Sequence, residues 1–295
     1  MAQPVLVLGA ASWNRMVHVA DLPQGKSATI FDARETEGAG STGVGKAFAL
    51  AALGHDVTLH CALGRDDDAE RIIAACEARG IAMLIDWQDA PTPQHLNIMD
   101  AQGGRYSIFL SNGAADPGID ANRLRNALAS TETVFLSLCA SSKNALPLLA
   151  GTTAEVLVDL HDYDGANPWY DGFIACADVV QMSDVALEDA GAVARRLKSG
   201  RAQQVVVTKG AHGADILNDH GHVHIPICPA KMRDSNGAGD AFSVALWHAL
   251  QKGMTVTEAG RFAAAAAAFA IEDETLFPSG IGEARIRSRA GLTDA

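Results

Sequence analysis

The sequence has 295 residues, 48% of them hydrophobic, which predicts one large α/β core with at most a small appendage. It carries 23 basic and 35 acidic residues, and the resulting net charge of −12 disfavours nucleic acids and anionic membranes as partners. Five cysteines without CxxC spacing are expected to be reduced thiols in the cytoplasm, and no secretion signal is expected at the N-terminus.

Short apolar runs alternate with helix-length segments along most of the chain. Buried strands are predicted at residues 5–8, 57–61, 82–85, 133–138, 156–160, 179–182 and 205–208. Helices are predicted over residues 42–53, 66–79 and 184–198, the last capped by Ser183, and a glycine follows each of them. This alternation predicts an α/β fold with a doubly wound, mostly parallel sheet flanked by helices.

Two regions, residues 16–36 and 95–110, depart from this alternation and are predicted to form hairpins outside the main sheet. We therefore expect a single domain over residues 1–295 with a small β lid drawn from about residues 14–37 and 95–111. The apolar run Phe262 to Ile271 is too short to span a bilayer, which predicts a buried helix and no membrane association.

The segment Gly40 to Ala47 nearly matches the P-loop pattern GxxxxGK[ST], in which backbone amides and a lysine hold phosphates. The match fails at Ala47, where the pattern requires the hydroxyl that binds Mg²⁺, and no buried strand precedes the loop. A P-loop NTPase is therefore a disfavoured alternative. Replacing Lys46 by alanine is expected to cripple only such an enzyme.

The most informative motif is the run Asp234 to Asp240, which leads into an amphipathic helix. Backbone N–H groups of Gly237, Ala238 and Gly239 can converge at that helix start and bind an anion, because these residues carry little or no side chain. Asp240 could then act as a general base toward an attacking hydroxyl, or it could merely stabilise the helix dipole.

Three blocks of the chain resemble signatures of the ribokinase-like (PfkB) carbohydrate kinases. The run DSNGAGD at residues 234–240 resembles the C-terminal signature DTxGAGD of that family. Residues 40–54 and 56–68 resemble its N-terminal signature, a glycine-rich turn and helix followed by a strand that ends in Gly-x-Asp. The run VVVTKGAHGA at residues 205–214 is similar to its nucleotide-binding strand and turn. The blocks stand in the family's order and together cover essentially the whole chain.

The resemblance implies a ribokinase-like fold and ATP-dependent phosphorylation of a hydroxyl group on a sugar or sugar-like molecule, with Mg²⁺ arriving with ATP. It implies that Asp240 is the general base. The amides of Gly237, Ala238 and Gly239 would neutralise charge on the transferred phosphoryl group.

The nucleotide would bind, by the same resemblance, at Thr208, Lys209, Gly210 and Gly213. Asp234 matches a family position associated with a monovalent cation, although an ordinary turn-forming aspartate is an equally good interpretation. The cofactors expected are thus ATP and Mg²⁺, with a monovalent cation as a further candidate.

The acceptor side departs from the family pattern. The acceptor-binding positions fall on Asn14, Gly40, Ser41 and Gly45, together with Asp240, but Asn14 stands where an aspartate is usual and Gly45 where an asparagine is usual. The family's Asn-x-x-Glu motif, which is linked to Mg²⁺, falls on Ser183 to Ala186. These changes predict that the substrate is not ribose bound in the ordinary way.

Several polar groups have both a functional and a structural interpretation. The loop at His161 follows a strand end, where ligands bind in α/β sheets, and the alternating His220, His222 and His224 could either bind a metal or face solvent. His95 and Asn97 could point at a substrate from the lid, and Trp13 could stack on a sugar or base ring.

Two further functions remain open at this point. A nucleoside kinase of the same family is favoured if Trp13 and the lid present apolar surface to a base. A ligand-binding or regulatory relative with weak catalysis is the other alternative, and the intact Asp240 argues against it. The expected partner is a small molecule, and a homodimer through the lid is expected if the lid exposes an apolar face.

Overall fold

The computed structural model of the protein describes residues 4–23, 25, 27, 29–100 and 104–292. The strands in chain order are β1 (Pro4–Leu8), β2 (Ser12–His18), β3 (Arg34–Gly40), β4 (Asp56–Leu63), β5 (Ala82–Trp87), β6 (Gln94–Met99), β7 (Arg105–Ser111), β8 (Thr133–Ser137), β9 (Glu155–Asp159), β10 (Val179–Ser183), β11 (Gln204–Thr208), β12 (Ala214–Asn218) and β13 (Gly221–Ile225). The helices are α1 (Thr42–Ala52), α2 (Asp67–Glu77), α3 (Ala121–Ala129), α4 (Ala140–Leu149), α5 (Asp171–Cys176), α6 (Ala190–Lys198), α7 (Ala238–Gln251), α8 (Val256–Ile271) and α9 (Glu283–Arg289).

In the described part of the chain, the main sheet has nine strands in the order β13-β12-β11-β10-β9-β8-β1-β4-β5. The strands from β11 to β5 pair in parallel, and β12 and β13 add an antiparallel hairpin at one edge. Every strand predicted from the sequence lies in the parallel part. The predicted α/β class, with a mostly parallel sheet flanked by helices, is therefore confirmed.

The two faces of the main sheet pack into two hydrophobic clusters. On β1, Val5 and Val7 enter the cluster that contains α1, α7 and α8, whereas Leu6 and Leu8 enter the opposite one. Successive strand residues point to opposite faces, so a continuous apolar run fills both layers. The apolar run 262–271 lies within α8 and is largely buried, as predicted. No helix among the described residues has the length and apolarity needed to cross a membrane.

The helix predicted over residues 184–198 is shorter than expected. Helix α6 begins at Ala190, and its cap is Asp189, whose side chain accepts a hydrogen bond from the backbone N–H of Ala192 at 2.8 Å. Ser183, the predicted cap, is instead the last residue of β10. The backbone N–H of Asp184 donates to the carbonyl oxygen of Thr208 at 3.0 Å, which holds this segment against the end of β11.

The two predicted hairpin regions form a second sheet, the lid sheet, with strand order β3-β2-β6-β7. Its two outer pairs are antiparallel, but its central pair, β2 and β6, is parallel, which the sequence did not indicate. Side-chain hydrogen bonds join it to the C-terminal half of the chain. Arg34 donates to both carboxylate oxygens of Glu274, at 2.9 and 2.7 Å, and Arg105 donates to the side-chain oxygen of Asn236. The lid sheet is thereby held beside the N-terminal turn of α7.

Candidate active site

A cavity of about 550 Å³ lies between the lid sheet and the carboxyl ends of the main-sheet strands. From the main-sheet side its wall includes Leu138, Cys139, His161, Gly237 and Asp240. From the lid sheet it includes His95, Asn97, Arg105, Ser107 and Phe109. Ligands of open α/β sheets bind outside the carboxyl ends of the strands, so this cavity is the candidate active site.

The N-terminal turn of α7 opens onto the cavity. Gly237 adopts a φ of 78°, and a Cβ at this position would lie 2.4 Å from the carbonyl oxygen of Leu276, so only glycine fits. Among the described residues no side chain caps α7, which leaves the N–H groups of this turn free of side-chain acceptors. The turn therefore has the backbone conformation and the unused donors of an anion site.

Asp240 lies in the first turn of α7 and is 6% exposed. Its Oδ1 accepts a hydrogen bond from Nζ of Lys46 on α1, a side chain with no exposed surface. The same ammonium donates to Oδ2 of Asp159, at the end of β9, at 3.1 Å. One lysine thus binds two buried carboxylates, and we call Lys46, Asp159 and Asp240 the buried charge triad.

The two carboxylates of the buried charge triad have opposite pKa shifts. Burial raises the pKa of Asp240, and the neighbouring charge of Asp159 adds to this effect, while Lys46 opposes it. Burial alone would also raise the pKa of Asp159, but His161 and Lys46 outweigh it and lower this pKa to about 2. Burial would lower the pKa of Lys46, and the two carboxylates raise it instead, so its ammonium stays charged.

Gly45, predicted to contact substrate, is buried in α1 and faces Asp240. A Cβ at Gly45 would lie 2.4 Å from Oδ2 of Asp240, closer than two such atoms can approach. The family's usual asparagine could not be accommodated at this position without moving the carboxylate. The structure thus links the departure at Gly45 to the placement of Asp240, whereas a direct contact with substrate stays a prediction.

The other predicted acceptor residues surround Asn14 on β2. Asn14 and Ser41 both line the cavity. The hydroxyl of Ser12 donates to Oδ1 of Asn14 at 2.6 Å and lies 2.7 Å from the hydroxyl of Ser41. A Cβ at Gly40 would lie 2.0 Å from Nδ2 of Asn14, so Gly40 makes room for the amide. Ser41 has a φ of 72°, a left-handed conformation that is strained for a residue with a side chain.

The predicted nucleotide loop follows β11. Gly213 has a φ of 84°, and its Cβ would lie 2.1 Å from the carbonyl oxygen of Ile225, so packing against β13 already requires this glycine. Gly210 has a φ of 51° and no atom within 4 Å of its Cβ position, which leaves its backbone open to a ligand. Lys209 pairs with Asp215. Thr208 accepts a backbone hydrogen bond from Asp184 at 3.0 Å, which joins the start of this loop to the end of β10.

Asp234, the candidate cation residue, is buried, and burial raises its pKa. Its Oδ1 accepts a hydrogen bond from the backbone N–H of Asn236 at 2.7 Å, the geometry of a turn-forming aspartate. In the described part of the chain no group of three or more His, Cys, Asp or Glu side chains could hold a metal ion. His222 and His224 instead contact Asp215 at 3.3 and 2.7 Å from the exposed strand β13.

A second cavity of about 410 Å³ shares Asn14, Asn236 and Leu276 with the first. Trp13 lines this second cavity, where its Nε1 donates to Glu37 at 3.1 Å and its ring lies below the guanidinium of Arg71. His95 and Asn97 line the first cavity, as the alternation along the lid strand suggested.

Sequence reasoning missed two members of the buried charge triad. Lys46 was considered only as part of a near P-loop match, which was disfavoured, and Asp159 was considered only as part of a predicted strand. One local signal was available, since a charged residue inside the apolar run of a predicted core helix must have a buried partner. The identity of the partners was not readable, because they lie 113 and 194 residues away along the chain.

Comparison with known proteins places these observations in one family. The family model described as pfkB family carbohydrate kinase matches residues 30–276. Acarbose 7(IV)-phosphotransferase from Actinoplanes sp. is 31% identical over 81% of this chain and 82% of its own length. A nucleoside kinase from Methanothermobacter thermautotrophicus is 25% identical over 92% of this chain and 90% of its own length.

Among solved structures, a microbiome-derived acarbose kinase superposes with a TM-score of 0.85 at 26% identity, covering 99% of both chains. The predicted ribokinase-like fold is therefore confirmed, including a sheet outside the main one. The chain belongs to the pfkB family of carbohydrate kinases, and it is an ATP-dependent carbohydrate kinase.

Proposed function

We propose that this kinase transfers the γ-phosphoryl group of ATP to a hydroxyl group of a sugar or sugar-like molecule, with Asp240 as the general base. The observation that carries the proposal is the position of Asp240, which lines the cavity in the turn that follows the anion-binding conformation at Gly237. Burial raises the pKa of this carboxyl group, which suits a group that takes up a proton.

In the proposed reaction the acceptor hydroxyl gives its proton to Asp240 while its oxygen forms a bond to the γ-phosphorus atom. The bond between that phosphorus and the oxygen that bridges the β- and γ-phosphates breaks, which releases ADP. The amides of Gly237, Ala238 and Gly239 donate to the phosphoryl oxygens and neutralise their charge. Mg²⁺ bound to the phosphates supplies further neutralisation when it accompanies ATP. The fit of the α7 turn to an anion supports this assignment of residues.

We assign the nucleotide to the loop from Thr208 to Gly213, where the open backbone at Gly210 and the cation of Lys209 favour a phosphate-bearing ligand. Asp234 is proposed as a monovalent-cation residue. Its hydrogen bond from the backbone N–H of Asn236 accounts for its position even when no cation is bound.

The acceptor is proposed to bind between Asn14 and Ser41 on one side and the lid side chains His95, Asn97 and Ser107 on the other. These groups can donate and accept hydrogen bonds without adding a negative charge, which suits a neutral polyol. A cavity of about 550 Å³ is within the range of small-molecule sites. The relative that is 31% identical is named for acarbose, so acarbose is the first acceptor to test.

A nucleoside is the second candidate acceptor, and Phe109 is the observation that favours it. This aromatic ring lines the cavity and lies 4.1 Å, between ring centroids, from the ring of His95. A base could stack on this pair. A ligand-binding relative with weak catalysis is disfavoured because Asp240 and the α7 turn are both intact.

We also propose a homodimer through the lid sheet, because Tyr106, Ile108, Phe109 and Leu110 on its edge strand β7 are each 43–58% exposed. All five cysteines are free, and together with the need for ATP this supports a cytoplasmic location.

The test is ADP release from ATP and Mg²⁺ in the presence of acarbose, ribose or inosine, measured for the wild type and for Asp240→Asn. We expect one acceptor class to stimulate ADP release and Asp240→Asn to lose about 10²–10⁴-fold of that rate while its melting temperature stays close to wild type. Asp67→Asn, which alters an exposed carboxylate in the first turn of α2, is the matched control and is expected to keep full activity. Unchanged turnover in Asp240→Asn would overturn the role of the base.

A further inference from the structure

The structure assigns Lys46 and Asp159 a role in the reaction that goes beyond the proposed function and rests on Asp240 being the base. We infer that Asp159 is a permanent counter-ion for the buried ammonium of Lys46, so that Asp240 can take up the proton of the acceptor without leaving an unpaired charge in the core. Lys46 and Asp159 are positioning residues, because each acts through Asp240.

The inference starts from the charges of the buried charge triad. Lys46 has no exposed surface, Asp159 is 4% exposed and Asp240 is 6% exposed, so water does not solvate these groups freely. A lysine with a single buried carboxylate would oppose proton uptake by that carboxylate, since an unpaired ammonium would remain in the core. With two carboxylates, one can be protonated while the other still pairs with Lys46 at 3.1 Å.

The surroundings decide which carboxylate stays ionised. Asp159 accepts hydrogen bonds from the backbone N–H of His161 at 3.0 Å and from Nε2 of Gln181 at 3.3 Å, in addition to the one from Lys46. Donors of this kind favour the charged carboxylate. Asp240 instead borders the cavity, where an acceptor hydroxyl can reach it. Proton uptake is therefore directed to Asp240.

The backbone around the triad is built to keep this geometry. Gly45, the residue before Lys46, leaves the space in which Oδ2 of Asp240 lies. Gln181 bridges the two sides, because its Nε2 donates both to Asp159 and to the carbonyl oxygen of Gly239, at 3.0 Å from the latter. The end of β9, the middle of β10, α1 and the first turn of α7 are thus joined at one point.

Each proton in the proposed step is accounted for. The hydroxyl proton moves to the carboxylate of Asp240, Lys46 keeps its three protons, and its ion pair with Asp159 remains. After the phosphorylated product leaves, Asp240 returns the proton to water. The charged groups that act most strongly on Asp240 are Lys46 on α1, Asp159 on β9 and His161 in the loop after β9, and His95 and Arg105 of the lid sheet line the same cavity.

The experiment follows the carboxyl carbon of Asp240 directly by NMR in protein labelled with carboxyl-¹³C aspartate, with its resonance assigned from the Asp240→Asn variant. The pKa of Asp240 is expected to rise in Lys46→Met and to fall in Asp159→Asn, each by about one unit or more, because the first variant removes a cation and the second an anion. The double variant is expected to lie between the two.

The opposite signs separate the inference from simple structural damage, which would shift both variants in the same direction or not at all. Glu155→Gln, a partly buried carboxylate at the other end of β9, is the matched control and is expected to leave the Asp240 titration unchanged. If Lys46→Met does not fold, Lys46→Gln and Asp159→Asn are titrated instead. A shift of the same sign in both variants, or no shift, overturns the inference.

Activity then distinguishes the two proposals. The acid limb of the pH dependence of kcat/KM for the best acceptor is expected to move with the NMR titration, to higher pH in Lys46→Met and to lower pH in Asp159→Asn. If Asp240→Asn retains activity, the base assignment fails whatever the titration shows. If Asp240→Asn is inactive and the two titrations do not move in opposite directions, only the inference fails.

Discussion

The turn at the start of α7 and the edge of the lid sheet face the same cavity but are built in opposite ways. At the α7 turn, the carboxylate of Asp240 is buried among charged and amide groups from three other elements, and a methyl group has no room at Gly45 or Gly237. At the lid edge, six of the seven residues of β7 are exposed, and the strand is held by its backbone pairing with β6 on one side and by side-chain hydrogen bonds from Arg105 and Ser107. Under the proposed function, the transfer step would thus depend on a tightly packed site, whereas the choice of acceptor would depend on a surface that can be changed at little structural cost.

The largest expected effect is a loss of folding stability in Lys46→Ala. Removing the ammonium leaves Asp159 and Asp240 buried side by side without their cation, and breaking a buried pair in this way costs about 3–5 kcal/mol of stability. Chemical denaturation measures the loss. Lys198→Ala, which removes a lysine from an exposed pair with Asp219, is the control and should cost far less.

The position of Lys46 also changes an expectation from the sequence. Lys46→Ala was expected to cripple only a P-loop enzyme, but Lys46 is buried against Asp240. We now expect the carbohydrate kinase to lose activity as well. A Lys46→Ala variant with wild-type stability would contradict the buried charge triad as described.

Gly45→Ala tests the closely packed α7 side of the cavity without changing any charge. Its Cβ would lie 2.4 Å from Oδ2 of Asp240, so the carboxylate must move, and a displacement of this size can lower kcat by about 10²-fold. Gly191→Ala, in the first turn of α6 and close only to flexible side-chain atoms, is the matched control and should keep its activity. Equal rates for the two variants would show that the site tolerates movement of Asp240.

Asn97→Ala tests the lid half. Asn97 lines the cavity from β6 and is held by a hydrogen bond from Ser107 at 2.7 Å. Losing roughly one hydrogen bond to the acceptor is worth about 1–1.5 kcal/mol, which predicts an increase of about tenfold in KM for the acceptor with little change in kcat. Tyr106→Phe on the exposed edge strand is the control. A fall in kcat without a change in KM would instead assign Asn97 to the transfer step.

The smallest effect is expected at the other end of α7. His55 lies 2.8 Å from His248, and burial, followed by the nearby charges of His248 and Lys252, lowers the pKa of His55 to about 4. In the unfolded chain His55 binds a proton below about 6.5, whereas in the folded protein it does not until about 4, so stability falls as the pH drops through this window. The melting temperature of His55→Gln should depend less on pH between about 4 and 6.5 than that of the wild type. His220→Gln, on the exposed hairpin, should show the same pH dependence as the wild type.

The parallel sheet was predictable because buried parallel strands carry continuous apolar runs, as at Val205 to Val207, where both faces are covered by helices. The α7 turn was predictable because the positive φ of Gly237 is a local requirement for glycine, although its close approach to Leu276 was not visible in the sequence. The start of α6 was predicted incorrectly, since Asp189 and not Ser183 provides the N-cap, its side chain accepting a hydrogen bond from the backbone N–H of Ala192. The parallel pairing of β2 with β6 joins segments about eighty residues apart and has no local signal.

The site residues also divide into those that could be predicted from the sequence and those that could not. Asp240 and the glycine turn are recognisable from one short run, whereas the function of Gly45 is explained only by a carboxylate that comes close in the folded protein. The position of Lys46 was misleading, because a lysine that follows glycines in an exposed loop is typical of a phosphate-binding residue. Residues whose partners are distant in sequence are therefore the part of this site that reading the chain cannot supply.

The distances along the chain within the buried charge triad also bear on how the enzyme is made. Lys46 pairs with Asp159, 113 residues later in the chain, and with Asp240, 194 residues later, so a growing polypeptide cannot complete the buried charge triad until α7 has been synthesised. Until then the ammonium belongs on the outside of any partly folded intermediate, where water can solvate it. If Asp240 is the base, as proposed, nascent chains that stop before α7 are expected to be inert toward ATP, and the appearance of kinase activity would report the packing of α7 onto the sheet.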